Sequence, residues 1–161
     1  MPDMLVKLYE LSELDPVLKA QAKKGVTIRR AITHEKALIL EFVESEFSRG
    51  WRCECEVSFN TMPPRCFIAE KEGKVVGFAV YDSVWKGYFG PTGVGKDHRQ
   101  GGIGTALLLA TLHEMRREGY GYGIIGLTGS PEYYEKTVKA TAIEGSKPGM
   151  FKGMIWDTGK K

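Results

Sequence analysis

An α/β fold built on a mixed sheet follows from three features of the sequence: a hairpin signal, a strand–glycine loop–helix–strand crossover, and one long apolar helix. The β-rich runs Cys66 to Glu70 and Val75 to Asp82 are separated by Lys71-Glu72-Gly73-Lys74, a spacing that predicts two adjacent antiparallel strands. Further along, Tyr88 to Val94, a glycine-rich loop, the helical stretch Gly101 to Glu118 and the run Tyr122 to Leu127 form a right-handed crossover, which generates a parallel pair. That helix carries Leu108, Leu112 and Met115 on one face and Ala106, Leu107 and Leu109 beside them. Apolar around most of its first three turns, it must pack between the sheet and other elements.

The remaining elements follow in chain order. Met4 to Leu11 alternates only loosely, and Leu14 to Lys24 reads as a short helix ended by Gly25. Val26 to Arg30 has the β-branched alternation of a strand. Thr33 is placed to cap a helix from about His34 to Phe47, whose apolar side is Ala37, Leu38, Phe42 and Phe47. Ser48 to Pro64 mixes Gly50, Trp51, two cysteines and a Pro-Pro pair, so it is expected to be a broken helix and loop. Segments of that kind often carry specificity. Within Tyr88 to Val94, Gly90 and Pro91 do not suit a regular central ladder, because proline lacks an amide donor, and a bulge or splaying is expected there. Pro131 to Val138 reads as a helix, followed by strand candidates around Ala142 and over Met150 to Trp156.

Composition narrows the function classes. A chain of 161 residues suits one domain, burying about two thirds of its unfolded surface. Its 42% hydrophobic and 27% charged residues are those of a globular protein. The 23 basic and 20 acidic residues are spread along the chain, which argues against a nucleic-acid partner, although a net charge of +3 helps attract an anionic ligand. The longest apolar candidate, Ile103 to Leu112, is too short for a membrane span. Cys53, Cys55 and Cys66 have no fourth ligand at conventional zinc spacing, so ordinary thiols and no metal are expected. With no apolar leader ahead of them, the default compartment is the cytoplasm.

The chemistry concentrates between Val94 and Thr105, where a strand ends, a loop turns and the long helix begins. A helix start exposes unpaired amides, and Gly101, Gly102 and Gly104 let the backbone approach a diphosphate closely. The dipole alone supplies about 0.3 to 1 kcal/mol. Several hydrogen bonds to a charged group, at about 1.5 to 3 kcal/mol each, must do most of the holding. The competing reading is a tight turn before a core helix. Neither a Walker loop nor the dinucleotide fingerprint matches, since no Gly-Lys-Ser/Thr triplet follows and no acidic residue stands on the next strand.

Arg99, Gly102 and Gly104 resemble the Arg/Gln-x-x-Gly-x-Gly/Ala signature of the GNAT family of N-acetyltransferases, with Val94 at the family's strand-end position. Pro131-Glu-Tyr-Tyr-Glu-Lys136 is similar to the family's Phe/Leu-Tyr-Glu-Lys segment. The resemblance covers residues 26–161 as the acetyltransferase domain and leaves 1–25 as an N-terminal extension. It implies a twisted mixed, mostly antiparallel sheet with helices on both faces, its cofactor cleft lying between Tyr88 to Val94 and the next strand. It implies acetyl-CoA as acyl donor, Thr92 and Val94 as backbone partners of the pantetheine arm, and Arg99, Gln100, Gly101, Gly102, Ile103, Gly104 and Thr105 as the pyrophosphate cradle. It further implies Tyr134 as the acid that protonates the departing thiolate, with Tyr133 facing elsewhere as packing. The acceptor implied is a primary amine of a small molecule or peptide, and a homodimer is common among similar proteins. The strand Tyr88 to Val94 lacks the glutamate that many relatives place there. Glu54, Asp82 and His98 are candidate bases, each read more readily as a solvated surface group, so none is assigned as catalytic, and a binding-only acyl-CoA sensor remains the alternative function. Trp51, Phe59 and Trp85 are candidates to line an acceptor pocket.

Overall fold

The computed structural model describes residues 1–158; residues 159–161, at the end of the expected domain, lie outside the described residues. The hairpin signal becomes β3 (Cys66–Lys71) and β4 (Lys74–Tyr81), with Glu72 and Gly73 both at positive φ in the turn. The crossover becomes β5 (Tyr88–Val94), a helix over Ile103–Arg117 and a strand over Tyr122–Ile125. In chain order the other elements are β1 (Met4–Lys7), α1 (Asp15–Ala22), β2 (Val26–Arg30), α2 (Lys36–Glu46) and α3 (Arg49–Val57). The crossover helix and strand are then α4 and β6, followed by α5 (Pro131–Val138) and β7 (Thr141–Ala142).

One seven-stranded sheet runs β2-β3-β4-β5-β6-β1-β7. Its neighbours are antiparallel except β5 and β6, which are parallel. Two apolar layers cover its faces. On one, α4 lays Leu107, Leu108, Leu112 and Met115 against Met4, Val6, Ala79 and Tyr81, and Leu14, just ahead of α1, and Val17 within it pack alongside. On the other, Ile39, Leu40 and Val43 of α2 and Cys55 of α3 cover Ile68, Phe78 and Val80. Each fully buried leucine or isoleucine contributes about 1.5–3 kcal/mol, so α4 is the chief anchor of its face. Gly77 lets it sit close, since a Cβ there would stand 2.9 Å from Leu107 Cδ1.

Four local readings change. Thr33 is not a helix cap: a 3₁₀ turn over Thr33–Glu35 precedes α2, and the Glu35 carboxylate accepts the Ile32 amide at 2.8 Å while pairing with Arg29. Ser48 to Pro64 is more regular than expected, because the Ser48 hydroxyl accepts the Trp51 amide at 3.1 Å and starts α3. A capping hydroxyl of this kind stabilises a helix by about 1 kcal/mol. Met150 to Trp156 is not a strand; a 3₁₀ turn over Gly149–Phe151 leads into an irregular tail. The loosely alternating start instead supplies β1, which pairs with β6 on one side and β7 on the other.

Candidate functional site

β5 leaves its partner after its first two residues. Its ladder with β6 joins Tyr88 to Ile124 and Phe89 to Ile125, after which β6 ends while β5 runs on to Val94. Gly90, at φ 109°, and Pro91, without an N–H, stand at the parting, and the register with β4 also shifts there, between Ala79 and Tyr81. In an antiparallel ladder successive residues turn their main-chain groups to opposite edges. The Gly95 amide donates to Val76 O at 2.9 Å. Counting back along the register, Val94 opposite Gly77 and Thr92 opposite Ala79 present their N–H and C=O to the opening. Consistent with this, Arg99 Nε donates to Val94 O at 3.1 Å from that side.

The opening leads to the start of α4. A cavity of about 410 Å³ is lined there by Thr92, Gly93, Val94, Arg99, Gly104 and the two tyrosines Tyr133 and Tyr134. Gly102 caps α4 at φ 83°, a left-handed conformation, and Ala106 N makes the bond to Gly102 O at 3.1 Å. The amides of Ile103, Gly104 and Thr105 therefore have no acceptor within the helix. On the opposite side of the loop, Gly101 O accepts Gln21 Nε2 and Lys24 Nζ, each at 2.9 Å. α1 thus holds the loop by its carbonyl. Gln100 also sits at positive φ, and the Ile103 side chain is buried in the core, leaving only its backbone for a ligand.

Tyr134 packs half-buried in the wall of this cavity, and burial, then the neighbouring Tyr133, pushes its hydroxyl up to about 12. It stays protonated through the neutral range. Tyr133 is not packing alone. Its ring lies 5.0 Å from that of Tyr134, and its hydroxyl hydrogen-bonds Thr105 Oγ1 at 2.8 Å, docking α5 on the first turn of α4.

A second cavity, of about 610 Å³, continues along β5 from Pro91 back to Tyr88. Its walls are the start of α3, the turn after β6 and the tail. Of the three aromatic candidates, Trp51 lines it, Phe59 lies in the core under α2 and α3, and Trp85 stacks edge-on against Phe151 at 6.4 Å. Of the three carboxylate and histidine candidates, Glu54 alone lines it, and burial raises its carboxyl above the usual range. Asp82 is committed elsewhere, accepting the Gly87 amide at 2.7 Å and the Tyr120 hydroxyl at 2.6 Å. His98 sits in the 3₁₀ turn Lys96–His98 outside both cavities. Tyr88 is braced by Asp3, whose carboxylate accepts its hydroxyl at 3.0 Å and the Leu127 amide at 3.3 Å. The helical spacing of Trp51 and Glu54 is the signal that could have brought Glu54 forward, since residues three apart share a face.

Cys55 and Cys66 are buried thiols, Cys53 is exposed, and among the described residues no three potential ligands gather around a metal position. Among those residues, no helix is long and apolar enough to cross a membrane.

Comparison with solved structures returns the same architecture. The chain is similar to the glucosamine N-acetyltransferase region of a fungal multi-domain GH3 β-N-acetylglucosaminidase, with 12% identity over 88% of this chain and 19% of that one, TM-score 0.72. It is similar to a GCN5-related N-acetyltransferase from Sphaerobacter thermophilus, with 20% identity over 88% and 48%, TM-score 0.68. It is similar also to a GNAT family acetyltransferase from Brucella melitensis solved with acetyl-CoA, with 23% identity over 69% and 80%, TM-score 0.51. The chain spans about a fifth of the first of these and about half of the second. A comparison with curated protein sequences finds no match. The sheet is that of the GNAT fold, α/β with helices on both faces. The family model described as Acetyltransferase (GNAT) family matches residues 35–138, the stretch from α2 through the glycine loop to the end of α5, and the chain belongs to that family.

Proposed function

We propose that this protein transfers an acetyl group from acetyl-CoA to a primary amine by direct attack. The observation that carries the reading is the parting of β5 from β6 beyond Phe89, which exposes a strand edge running straight to the free amides of α4. A pantetheine arm is itself a chain of amides and suits that edge at Thr92 and Val94. The pyrophosphate suits the loop, with Arg99, Gln100, Gly101, Gly102, Gly104 and Thr105 around it and the backbone of Ile103 contributing its amide. The acyl donor thus supplies the reactive carbonyl where the two cavities meet, near Pro91 and Thr92.

The residues divide the proton work. An alkyl amine, with a pKa near about 10.4, enters mostly protonated. Glu54, whose burial favours taking up a proton, accepts one from the amine side, directly or through water. The neutral nitrogen then attacks the thioester carbonyl carbon, the C–S bond breaks, and Tyr134 donates its hydroxyl proton to the departing sulfur. The surplus proton on the acylated nitrogen passes through water to the Tyr134 phenolate and restores it, while Glu54 releases its proton to solvent. The products are the acetamide and free coenzyme A. A carboxylate on α3 occupies the role for which β5 offers no acidic side chain, which favours an enzyme over a binding-only module. The domain is proposed over residues 26–161, with the first 25 built into the same sheet and core through β1 and α1, and the cytoplasm is proposed as its compartment.

Calorimetric titration with acetyl-CoA and with desulfo-CoA tests the binding half, and thiol release across an amine panel tests the chemistry. Tyr134→Phe is expected to lower kcat by about 10²–10⁴ while acetyl-CoA affinity stays within about twofold. Full turnover by this variant overturns the acid role, and failure of both coenzyme forms to bind overturns the whole reading.

A further inference from the structure

We infer that the acceptor is a monoamine carried on an aromatic or bulky apolar body, bound with its nitrogen toward Glu54 and its body against Trp51 and the C-terminal tail. The inference rests on the acetyl-transfer reading above and names the substrate class of the same site.

The wall of the 610 Å³ cavity carries it. Trp51, Phe89, Leu127, Phe151, Met154 and Trp156 are its large apolar lining residues. Cavities of this kind bind by apolar burial, with a few polar groups fixing orientation. Three charged side chains line it. Arg49 lies 3.8 Å from Asp157 and so spends its charge against the tail. Glu54 lines the cavity half-buried, and burial raises its carboxyl above the usual range. With Asp157 set against Arg49, Glu54 is the carboxylate the cavity leaves for one ammonium.

That arithmetic separates acceptor classes. A polyamine or an aminoglycoside would bring several cations, of which one meets Glu54 and the rest meet indole and phenyl faces with little to replace their water. A buried cation without partners is costly. A peptide would bring amides in need of partners, and the side chains here are mostly hydrocarbon. An arylalkylamine or a branched alkylamine asks for one polar contact and fills the remainder with carbon. The tail enters the same reasoning. Met154, Ile155 and Trp156 are all exposed to solvent yet line the cavity, so a bound apolar body would cover them.

The test uses the full chain with acetyl-CoA and four probes at equal concentration: 2-phenylethylamine, spermidine, kanamycin and a lysine-containing tetrapeptide. Initial thiol release is expected to give 2-phenylethylamine a kcat/KM at least a hundredfold above the other three. Calorimetry on protein saturated with coenzyme A, a readout independent of turnover, is expected to give 2-phenylethylamine an affinity at least tenfold above spermidine. Trp156→Ala and Trp51→Ala should each lower kcat/KM for 2-phenylethylamine tenfold or more and leave acetyl-CoA binding unchanged. Equal or better use of spermidine, kanamycin or the peptide overturns this inference and leaves acetyl transfer standing. Binding of 2-phenylethylamine no tighter than that of spermidine also overturns it. Absence of acetyl-CoA binding overturns both.

Discussion

The two cavities that meet on β5 are built in opposite ways. The proposed coenzyme cleft draws on one continuous run, Thr92 to Thr105, closed by two adjacent tyrosines on α5. The proposed acceptor cavity collects short pieces from residues 48–54, 84–91, 126–127 and 151–157. In the first, backbone geometry does the work: a parted strand, a left-handed glycine, unpaired amides. In the second, side-chain identity does it: the Glu54 carboxylate and an Arg49–Asp157 pair among aromatic rings. A site made of main chain tolerates changes of side chain but not of conformation, and the reverse holds for a site made of side chains.

Substitutions can break this contrast, and the largest effect is expected at Glu54. Glu54→Gln should lower kcat by about 10²–10⁴ and leave acetyl-CoA affinity unaltered. Its raised carboxyl pKa places the acid limb of the wild-type rate profile above the ordinary carboxylate range, and the variant should lose that limb. Stability should move the other way. A carboxyl raised on folding stabilises the fold below its unfolded pKa and forfeits that contribution as pH rises through the folded value. The melting temperature of Glu54→Gln should therefore exceed that of the wild type at pH 7 to 8, with the gap closing below about pH 4. An unchanged rate profile would remove Glu54 from the chemistry.

Two glycines only two residues apart probe the backbone half of this contrast. Gly102→Ala must hold a Cβ at φ 83° and 2.9 Å from Gln21 Nε2, a buried side chain already bonded to Gly101. The left-handed conformation alone costs about 1–2 kcal/mol, so denaturant unfolding should show at least that loss and acetyl-CoA binding should weaken with it. Gly104→Ala meets only ordinary contact with Val94 at 3.7 Å and sits inside a helix. It should stabilise by about 0.5–1 kcal/mol. Equal effects at the two positions would mean that the loop conformation is not what matters.

The smallest expected effect tests the tail. Arg49→Ala removes an exposed pair to Asp157, worth at most about 1 kcal/mol, so the KM of the best amine should rise no more than about fivefold and that of acetyl-CoA should not change. A large change would mean that this end of the tail is held chiefly through Arg49.

This division also explains what could be read from the sequence. The hairpin, β2, α4, α5 and the disruption at Gly90-Pro91 are all local signals, and they match the observed elements. Helical geometry separates Tyr133 from Tyr134 and points to packing, yet both line the cleft. No local signal singles out Glu54, since the Ser48 cap that makes α3 a helix lies among Gly50, the cysteines and Pro63-Pro64. The tail residues Met154 to Trp156 resembled a strand by composition, and only their position over α3 gives them a place in the cavity. What escaped was the meeting of distant segments, for which no short window carries a signal.

The seat of β1 between β6 and β7 has a consequence for synthesis. Met4 to Lys7 is made more than a hundred residues before Tyr122 to Ile125 and Thr141 to Ala142, the two partners that hold it. At about 5–20 residues per second, that strand waits several seconds on the ribosome with Met4 and Val6 wet and both of its edges bare. The sheet is sealed by its oldest piece, and until then a chaperone has its best handle on the molecule.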